Sequence, residues 1–277
     1  MKAIILAGGF GTRLKEISGD LPKPMVNIAG KPFLEHQILF LKENGITDII
    51  LAVHHMADKI KSYFGNGGWW EVNITYSEEE TPLGTAGAVK KAEKYIDNTF
   101  LVLNGDSYSD INLKEFINFH NAKKSLFTIG LVKSKNSEHY GSVMLNEGKI
   151  TEFGEKKSGD ESIVNSGIYL FEPKIFDYIE KDMIVSLEKE IFPKLVKEGN
   201  VYGYLHEGYF MDIGRPETYK KFREDVVKTL MFEEDKTVRE AMQKITKSEI
   251  DLILVVDKEK KLLGVLNDKI IKRFLLS

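Results

Sequence analysis

Two periodicities alternate along the first hundred residues. Residues 1–7, Met-Lys-Ala-Ile-Ile-Leu-Ala, form an apolar run that suits a short strand buried on both faces. Leu34, Ile38 and Leu41 then recur at helical spacing within residues 34–44, and Gly45 stands where a helix stops. Residues 48–53 repeat the apolar run, and residues 56–64 repeat the helical spacing up to Gly65. Residues 72–76 alternate as a strand does, residues 84–95 predict a glycine-initiated helix, and residues 100–103 predict another buried strand. This order predicts an α/β fold: a Rossmann-like mixed, mainly parallel sheet flanked by helices. Ligands of such sheets bind beyond the carboxyl ends of the strands.

From Phe127 the pattern changes. Residues 127–132, 142–145, 150–153 and 163–171 read as strands joined by turns, expected to extend the sheet and wall in a second substrate. Residues 184–198 predict a helix beginning near Ser186, a suitable cap. Short strands over 202–205 and 209–211 precede a closing helix over 216–230. A main domain over 1–230 is therefore expected, with a small appendage over 231–277. The appendage reads as an amphipathic helix (237–245), two strands (252–257 and 262–266) around a polar turn, and a final helix (268–276). Trp69-Trp70 beside Gly67-Gly68 reads as a packing feature near a hairpin, and His54-His55 as an exposed loop pair without ligand partners.

Composition narrows the partners more than the fold. The 277 residues carry 42% hydrophobic and 29% charged positions and a net charge of −3, so no nucleic-acid or membrane surface is expected. The absence of cysteine removes disulfides and thiolate metal sites. The N-terminus enters a strand directly and no apolar run approaches a membrane span, which leads to the expectation of a cytoplasmic protein.

The candidate chemistry begins where the first strand opens into Gly8-Gly9-Phe10-Gly11-Thr12-Arg13-Leu14. A glycine-rich turn lets backbone N–H groups cradle phosphate oxygens. Arg13 adds a planar fork of donors, and Lys23 is a point charge held stiffly by Pro22 and Pro24. The dinucleotide fingerprint fails for want of a third glycine, and the ATPase loop is absent because Pro32 follows Gly30-Lys31. A site for a polyphosphate remains. Asp106, after Asn104-Gly105, and Asp212, before Ile213-Gly214, each follow a predicted strand, where a lone Asp is ordinarily a turn residue.

Gly8-Gly9-x-Gly11-Thr12-Arg13-Leu14 with Leu21-Pro22-Lys23-Pro24 resembles the signature of the sugar-1-phosphate nucleotidylyltransferases, over about the first 225 residues. The later motifs are most similar to bacterial guanylyltransferases acting on D-glycero-α-D-manno-heptose 1-phosphate or mannose 1-phosphate. The resemblance implies that Leu6, Ala7, Gly8, Gly9, Gly11 and Thr12 line the nucleotide, with Arg13 and Lys23 as catalytic groups. It implies a Mg2+ site on Asp106 and Asp212, which suits an ion content with a few hard oxygens plus substrate phosphates. Pro82, Gly84 and Thr85 of the Thr81–Gly87 segment would contact the base, whose edge Glu79 would read. A carboxylate matches the two donors of guanine and so favours GTP, although any of Glu78, Glu79 and Glu80 qualifies as the reader. Asp106, Tyr140-Gly141, Glu155-Lys156 and Asn165 would hold the sugar 1-phosphate.

The implied reaction is in-line attack by the sugar phosphate on the nucleotide α-phosphorus, with Arg13 on the departing pyrophosphate and Lys23 on the α-phosphate or the incoming group. A thymidylyl- or uridylyltransferase for glucose 1-phosphate is the rival within the class. A catalytically silent, nucleotide-sensing regulatory subunit is the rival outside it; its mark would be loss of Arg13, Lys23, Asp106 or Asp212, and all four are present. In the tail, Val255-Val256-Asp257 and Gly264-Val265-Leu266-Asn267-Asp268 resemble a single CBS motif. Such motifs usually pair, so a homodimer through the tail is expected, with a truncated remnant or a simple two-stranded appendage as the other readings.

Overall fold

The computed structural model describes residues 1–134, 142–154, 162–233, 235–247 and 252–267. They divide into two compact units, Met1–Tyr219 and Lys220–Ser277, each described by itself.

The first unit is built on a nine-stranded sheet. Its strands in chain order are β1 (Lys2–Leu6), β2 (Asp48–Val53), β3 (Asn73–Glu78), β4 (Phe100–Asn104), the short β5 (Ser107–Ser109, outside this sheet), β6 (Phe127–Ser134), β7 (Ser142–Asn146), β8 (Lys149–Gly154), β9 (Ser162–Phe171) and β10 (Val201–Leu205). The spatial order is β3-β2-β1-β4-β9-β6-β10-β8-β7. The first four strands are parallel to one another, with Leu6 level with Ala52 on one side and Asn104 on the other. β9 then runs antiparallel to both β4 and β6, and the remainder is mixed. The parallel portion expected from the helix–strand alternation is thus four of the nine strands.

Burial on both faces explains the apolar runs. Ala3, Ile5, Ile49, Leu51, Val53, Leu101 and Leu103 fill the core on one side of the sheet. Their strand neighbours Ile4, Ile50, Ala52, Phe100 and Val102 fill the core on the other, as the two-residue period of a strand requires. The first core is closed by α1 (Phe33–Glu43) through Leu34, Ile38 and Leu41, and by α2 (Ala57–Phe64) through Ile60 and Phe64. The second is closed by α3 (Gly84–Lys91) through Ala86 and Val89, and by Leu187, Ile191, Phe192 and Leu195.

Several elements differ from expectation for local reasons. α3 ends at Lys91, and the rest of its predicted length is a separate 3-10 turn, Glu93–Tyr95. The helix predicted over 184–198 starts only at Leu187. Its first turn is a π-turn (Leu187–Ile191) capped by Ser186, whose side chain accepts the Lys189 N–H. The α-helical part, α5, is Phe192–Glu198; Pro193, with no N–H to give, sits where the widened turn meets it. The helix α4 (Leu113–Lys123) was not anticipated, although Asn112-Leu113-Lys114-Glu115 is a readable start signal: the Asn112 side chain accepts the Glu115 N–H at 3.2 Å. Gly68–Trp70 is a 3-10 turn rather than a hairpin; Trp70 packs on Tyr63 and Phe64, whereas Trp69 is 90% exposed.

β11 (Phe210–Asp212) pairs antiparallel with β5 in a two-stranded ribbon, and α6 (Pro216–Leu230) runs through the boundary between the units. The second unit carries β12 (Met231–Glu233), α7 (Val238–Lys247), β13 (Leu252–Val256) and β14 (Leu262–Asn267). β12, an unanticipated strand, lies parallel to β13, and β14 pairs antiparallel with β13. Thr237 and Glu240 form a reciprocal capping box at the start of α7, each side chain accepting the other's backbone N–H. Ala241 and Ile253 are its small buried core, with Phe232, Met242 and Leu266 around them. The final helix expected over 268–276 lies outside the described residues. No helix among the described residues is long and apolar enough to cross a membrane.

Asn112→Ala removes one of the few donors' partners at the start of α4 and is expected to lower stability by about 1 kcal/mol. Urea unfolding checks this as a fall in midpoint at unchanged slope; an unchanged midpoint would mean that the cap contributes nothing.

Candidate active site at the carboxyl edge of the parallel strands

Because Leu6 and Asn104 are level on neighbouring parallel strands, the turns that follow them leave the sheet at the same edge. After β1, Gly8 and Gly9 lead to Gly11, which takes a positive φ of 61°; a Cβ there would stand 2.7 Å from the Lys23 Cβ. Only glycine permits both the left-handed turn and that approach. Leu14 is buried and anchors the 3-10 turn Thr12–Leu14, which leaves Thr12 and Arg13 exposed. Phe10 is exposed and lies against the rings of His54 and His55, at 5.6 and 5.3 Å.

Lys23, in the 3-10 turn Lys23–Met25, is buried, and its Nζ donates to Asp106 Oδ2 at 2.5 Å. The β5–β11 ribbon places Asp212 opposite Ser107, and the Ile213 N–H donates to the Asp106 carbonyl at 2.8 Å. The two aspartates expected to act together are therefore neighbours. Asp212 Oδ1 accepts the Gly214 N–H, and a Cβ on Gly214 would lie 2.7 Å from that oxygen and 3.1 Å from Lys23 Nζ. Burial first, and then the Asp106 charge, push the Asp212 carboxyl above the usual carboxylate range; Lys23, the Gly214 N–H and Arg215 pull it back. Lys23 is bonded to Asp106 and also acts on Asp212, on which Arg215 acts as a second cation. Among the described residues no group of three or more His, Asp or Glu side chains is gathered as a metal cage.

On the far side of the glycine turn, the three consecutive glutamates separate by environment. Glu78 pairs with Lys61 at 2.5 Å and Glu80 is exposed. Glu79 is buried, with Oε2 accepting the Leu83 N–H at 2.8 Å and Oε1 3.1 Å from the place a Gly8 Cβ would take. Burial raises its carboxyl above the ordinary value, opposed by the Leu83 N–H and then by His54 and Lys91. His54 Nδ1 lies 2.8 Å from the Glu79 carbonyl oxygen, so the histidine belongs to this wall rather than to a free loop.

The segment after Glu79 does something the sequence did not disclose. Pro82 is exposed, but Gly84, at φ +72°, has the Val185 carbonyl oxygen only 2.5 Å from where its Cβ would be. The Leu83 carbonyl accepts the Val185 N–H and the Val185 carbonyl accepts the Ala86 N–H, both at 2.9 Å. Thr85 Oγ1 donates to Glu188 Oε2 and accepts the Leu187 N–H, each at 2.8 Å. The small residues at Gly84 and Thr85 thus accommodate a neighbouring chain segment.

On the remaining side, Asn165 Nδ2 donates to the Tyr169 hydroxyl at 2.9 Å and Asn165 Oδ1 accepts the Gly167 N–H at 2.9 Å. Gly141, Glu155 and Lys156, expected around the sugar, lie outside the described residues, as does Tyr140. Gln37 went unread: it is buried on α1, and its Nε2 donates to the carbonyls of Asn104 and Ser107 at 2.9 and 2.8 Å, bracing the Asn104-Gly105-Asp106 turn. A lone glutamine on the apolar face of Leu34, Ile38 and Leu41 was the available signal.

The profile of the family described as nucleotidyl transferase matches residues 2–229, and that of the CBS domain matches residues 223–277. The chain is 35% identical over 227 residues to a D-glycero-alpha-D-manno-heptose 1-phosphate guanylyltransferase of Aneurinibacillus thermoaerophilus, covering 82% of this chain and 98% of that protein. It is 41% identical over 230 residues to a probable mannose-1-phosphate guanylyltransferase 2 of Arabidopsis thaliana, but covers only 63% of that longer protein. Among solved structures, HddC from Yersinia pseudotuberculosis complexed with GMP-PN aligns with a TM-score of 0.73 and 36% identity, over 81% of this chain and 99% of HddC.

Since Lys23 restrains the Asp212 carboxyl, Lys23→Met is expected to move its titration to higher pH. Carboxyl-carbon NMR checks this; an unmoved titration would place the lysine charge away from Asp212.

Proposed function

This chain belongs to the nucleotidyl transferase family, and we propose that it transfers a guanylyl group from GTP to D-glycero-α-D-manno-heptose 1-phosphate with release of pyrophosphate. The observation that carries the reading is the convergence of the Gly8–Gly11 turn, Lys23, Asp106 and Asp212 at one edge of the parallel strands. Guanine is favoured because Glu79 is buried beside Gly8 with one carboxylate oxygen turned toward that turn. Its other oxygen already holds the Leu83 N–H, so the base edge would be read mainly by Oε1.

The chemistry asks little of the protein beyond placement and charge. A phosphomonoester has a second pKa of about 6 and is largely dianionic at neutral pH, so no general base is needed. One sugar-phosphate oxygen forms a bond to the α-phosphorus as the bond from that phosphorus to the β-phosphate bridging oxygen breaks, and the electron pair leaves with pyrophosphate. Lys23 would exchange its bond to Asp106 for the α-phosphate, and the exposed Arg13 would steady the departing pyrophosphate. Asp106 and Asp212 suit Mg2+: two carboxylates offer hard oxygens, and half-buried Asp212 faces a like charge in Asp106. The metal, when bound, would supply charge neutralisation for the substrate phosphates. Asn165 would meet the acceptor sugar.

Lys23→Ala is expected to lower turnover by roughly 10²–10³-fold with the fold retained, the scale seen when a transition-state donor is removed. Pyrophosphate release with Mg2+, crossing GTP, dTTP and UTP with heptose, mannose and glucose 1-phosphates, tests the whole reading. Turnover is expected with GTP and the heptose phosphate. Preference for mannose 1-phosphate would change the acceptor alone. Turnover with dTTP or UTP and glucose 1-phosphate would overturn the substrate assignment, and silence from folded protein would favour a regulatory subunit.

A further inference from the structure

Tyr169 is fully buried, yet its hydroxyl meets three polar side chains. Asn165 Nδ2 donates to it at 2.9 Å and Asn104 Nδ2 at 3.2 Å, while the hydroxyl donates to Glu188 Oε1 at 3.3 Å. A phenol has one proton and two lone pairs, so all its capacity is used. Glu188 is the next junction: Oε2 accepts from Thr85 Oγ1 at 2.8 Å and from Ser186 Oγ at 3.1 Å. The hydrogen bonds therefore run unbroken from Thr85, at the first turn of α3, through Glu188 and Tyr169 to Asn165 and to Asn104, two residues before Asp106.

The direction of these bonds matters. Among the described residues Asn104 Oδ1 is buried without a partner, so its amide is held in orientation through its donor to Tyr169. Asn165 is held at both ends, by Tyr169 and by the Gly167 N–H. The Tyr169 hydroxyl can accept from both amides only while its proton is committed elsewhere, and Glu188 is the acceptor that commits it. Burial keeps the phenol protonated, its pKa pushed well above the ordinary value.

We propose that Glu188 is a positioning residue for the acceptor subsite, orienting Tyr169, Asn165 and Asn104 from an anchor on Thr85. No role for Glu188 followed from the sequence motifs. The inference rests on the guanylyl-transfer reading for the identity of the acceptor, and it makes the start of α3 a support for sugar placement in addition to any contact with the nucleotide.

The test measures KM for the sugar 1-phosphate, kcat, and the dissociation constant of GTP by equilibrium binding, for Glu188→Gln, Tyr169→Phe and the double variant. Each single variant is expected to raise the sugar-phosphate KM by about tenfold, with GTP affinity within about twofold of wild type. The double variant should be no worse than the more impaired single one, because both break the same chain. Tyr169→Phe removes one oxygen from a packed ring and serves if Glu188→Gln fails to fold. An unchanged KM, multiplying effects, or a parallel loss of GTP affinity overturns the proposal. Wild-type protein that turns over no sugar phosphate would instead overturn the functional reading on which it rests.

Discussion

The ion pair between Lys23 and Asp106 is the constraint from which the site is assembled. A lysine ammonium taken out of water requires a partner, and Asp106 provides it at 2.5 Å from eighty-three residues away. The contact exists because β1 and β4 are adjacent and level, so that the turn after each emerges at the same height. The absent side chain of Gly11 lets the glycine turn close on Lys23. Asp212 then enters on the β5–β11 ribbon as a second carboxylate, under the charges of Lys23 and Arg215.

The rest of the unit makes that edge rigid. Two cores, one on each face, hold the parallel strands through alternating residues, so the turns rise from a platform that has little freedom to shift. Gln37 fastens the Asp106 turn from α1 below it, and Glu79 fastens the Leu83 turn from β3 beside it. Lys23, Gln37 and Glu79 are buried beside the site and each donates or accepts a hydrogen bond there, which gives it a defined geometry.

The strands and helices of the parallel half were legible because their side chains face a core on both sides, a pattern that depends on period alone. The strand-end aspartates were legible from motif and spacing. What was not legible depends on contacts distant in sequence. Gly84 serves the carbonyl of Val185, and Thr85 serves Glu188, which a local reading of the Thr81–Gly87 segment could not show. Tyr169 and Glu188 acquire their roles only when β9, α3 and the π-turn meet. The helix after Asn112 was a different matter, since its cap and its Glu115 were in view. Of Glu78, Glu79 and Glu80, Glu79 is the buried one, because the in-and-out alternation of β3 continues one residue past its end.

Where Lys23 points when substrates are present decides its part in the transfer. The decisive measurement is a crystal structure with Mg2+, a non-hydrolysable GTP analogue and the sugar 1-phosphate. Lys23 should have left Asp106 for the α-phosphate, with the metal between Asp106 and Asp212 and the base against Glu79. A nucleotide bound away from the Gly8–Gly11 turn, with Lys23 still paired to Asp106, would contradict it.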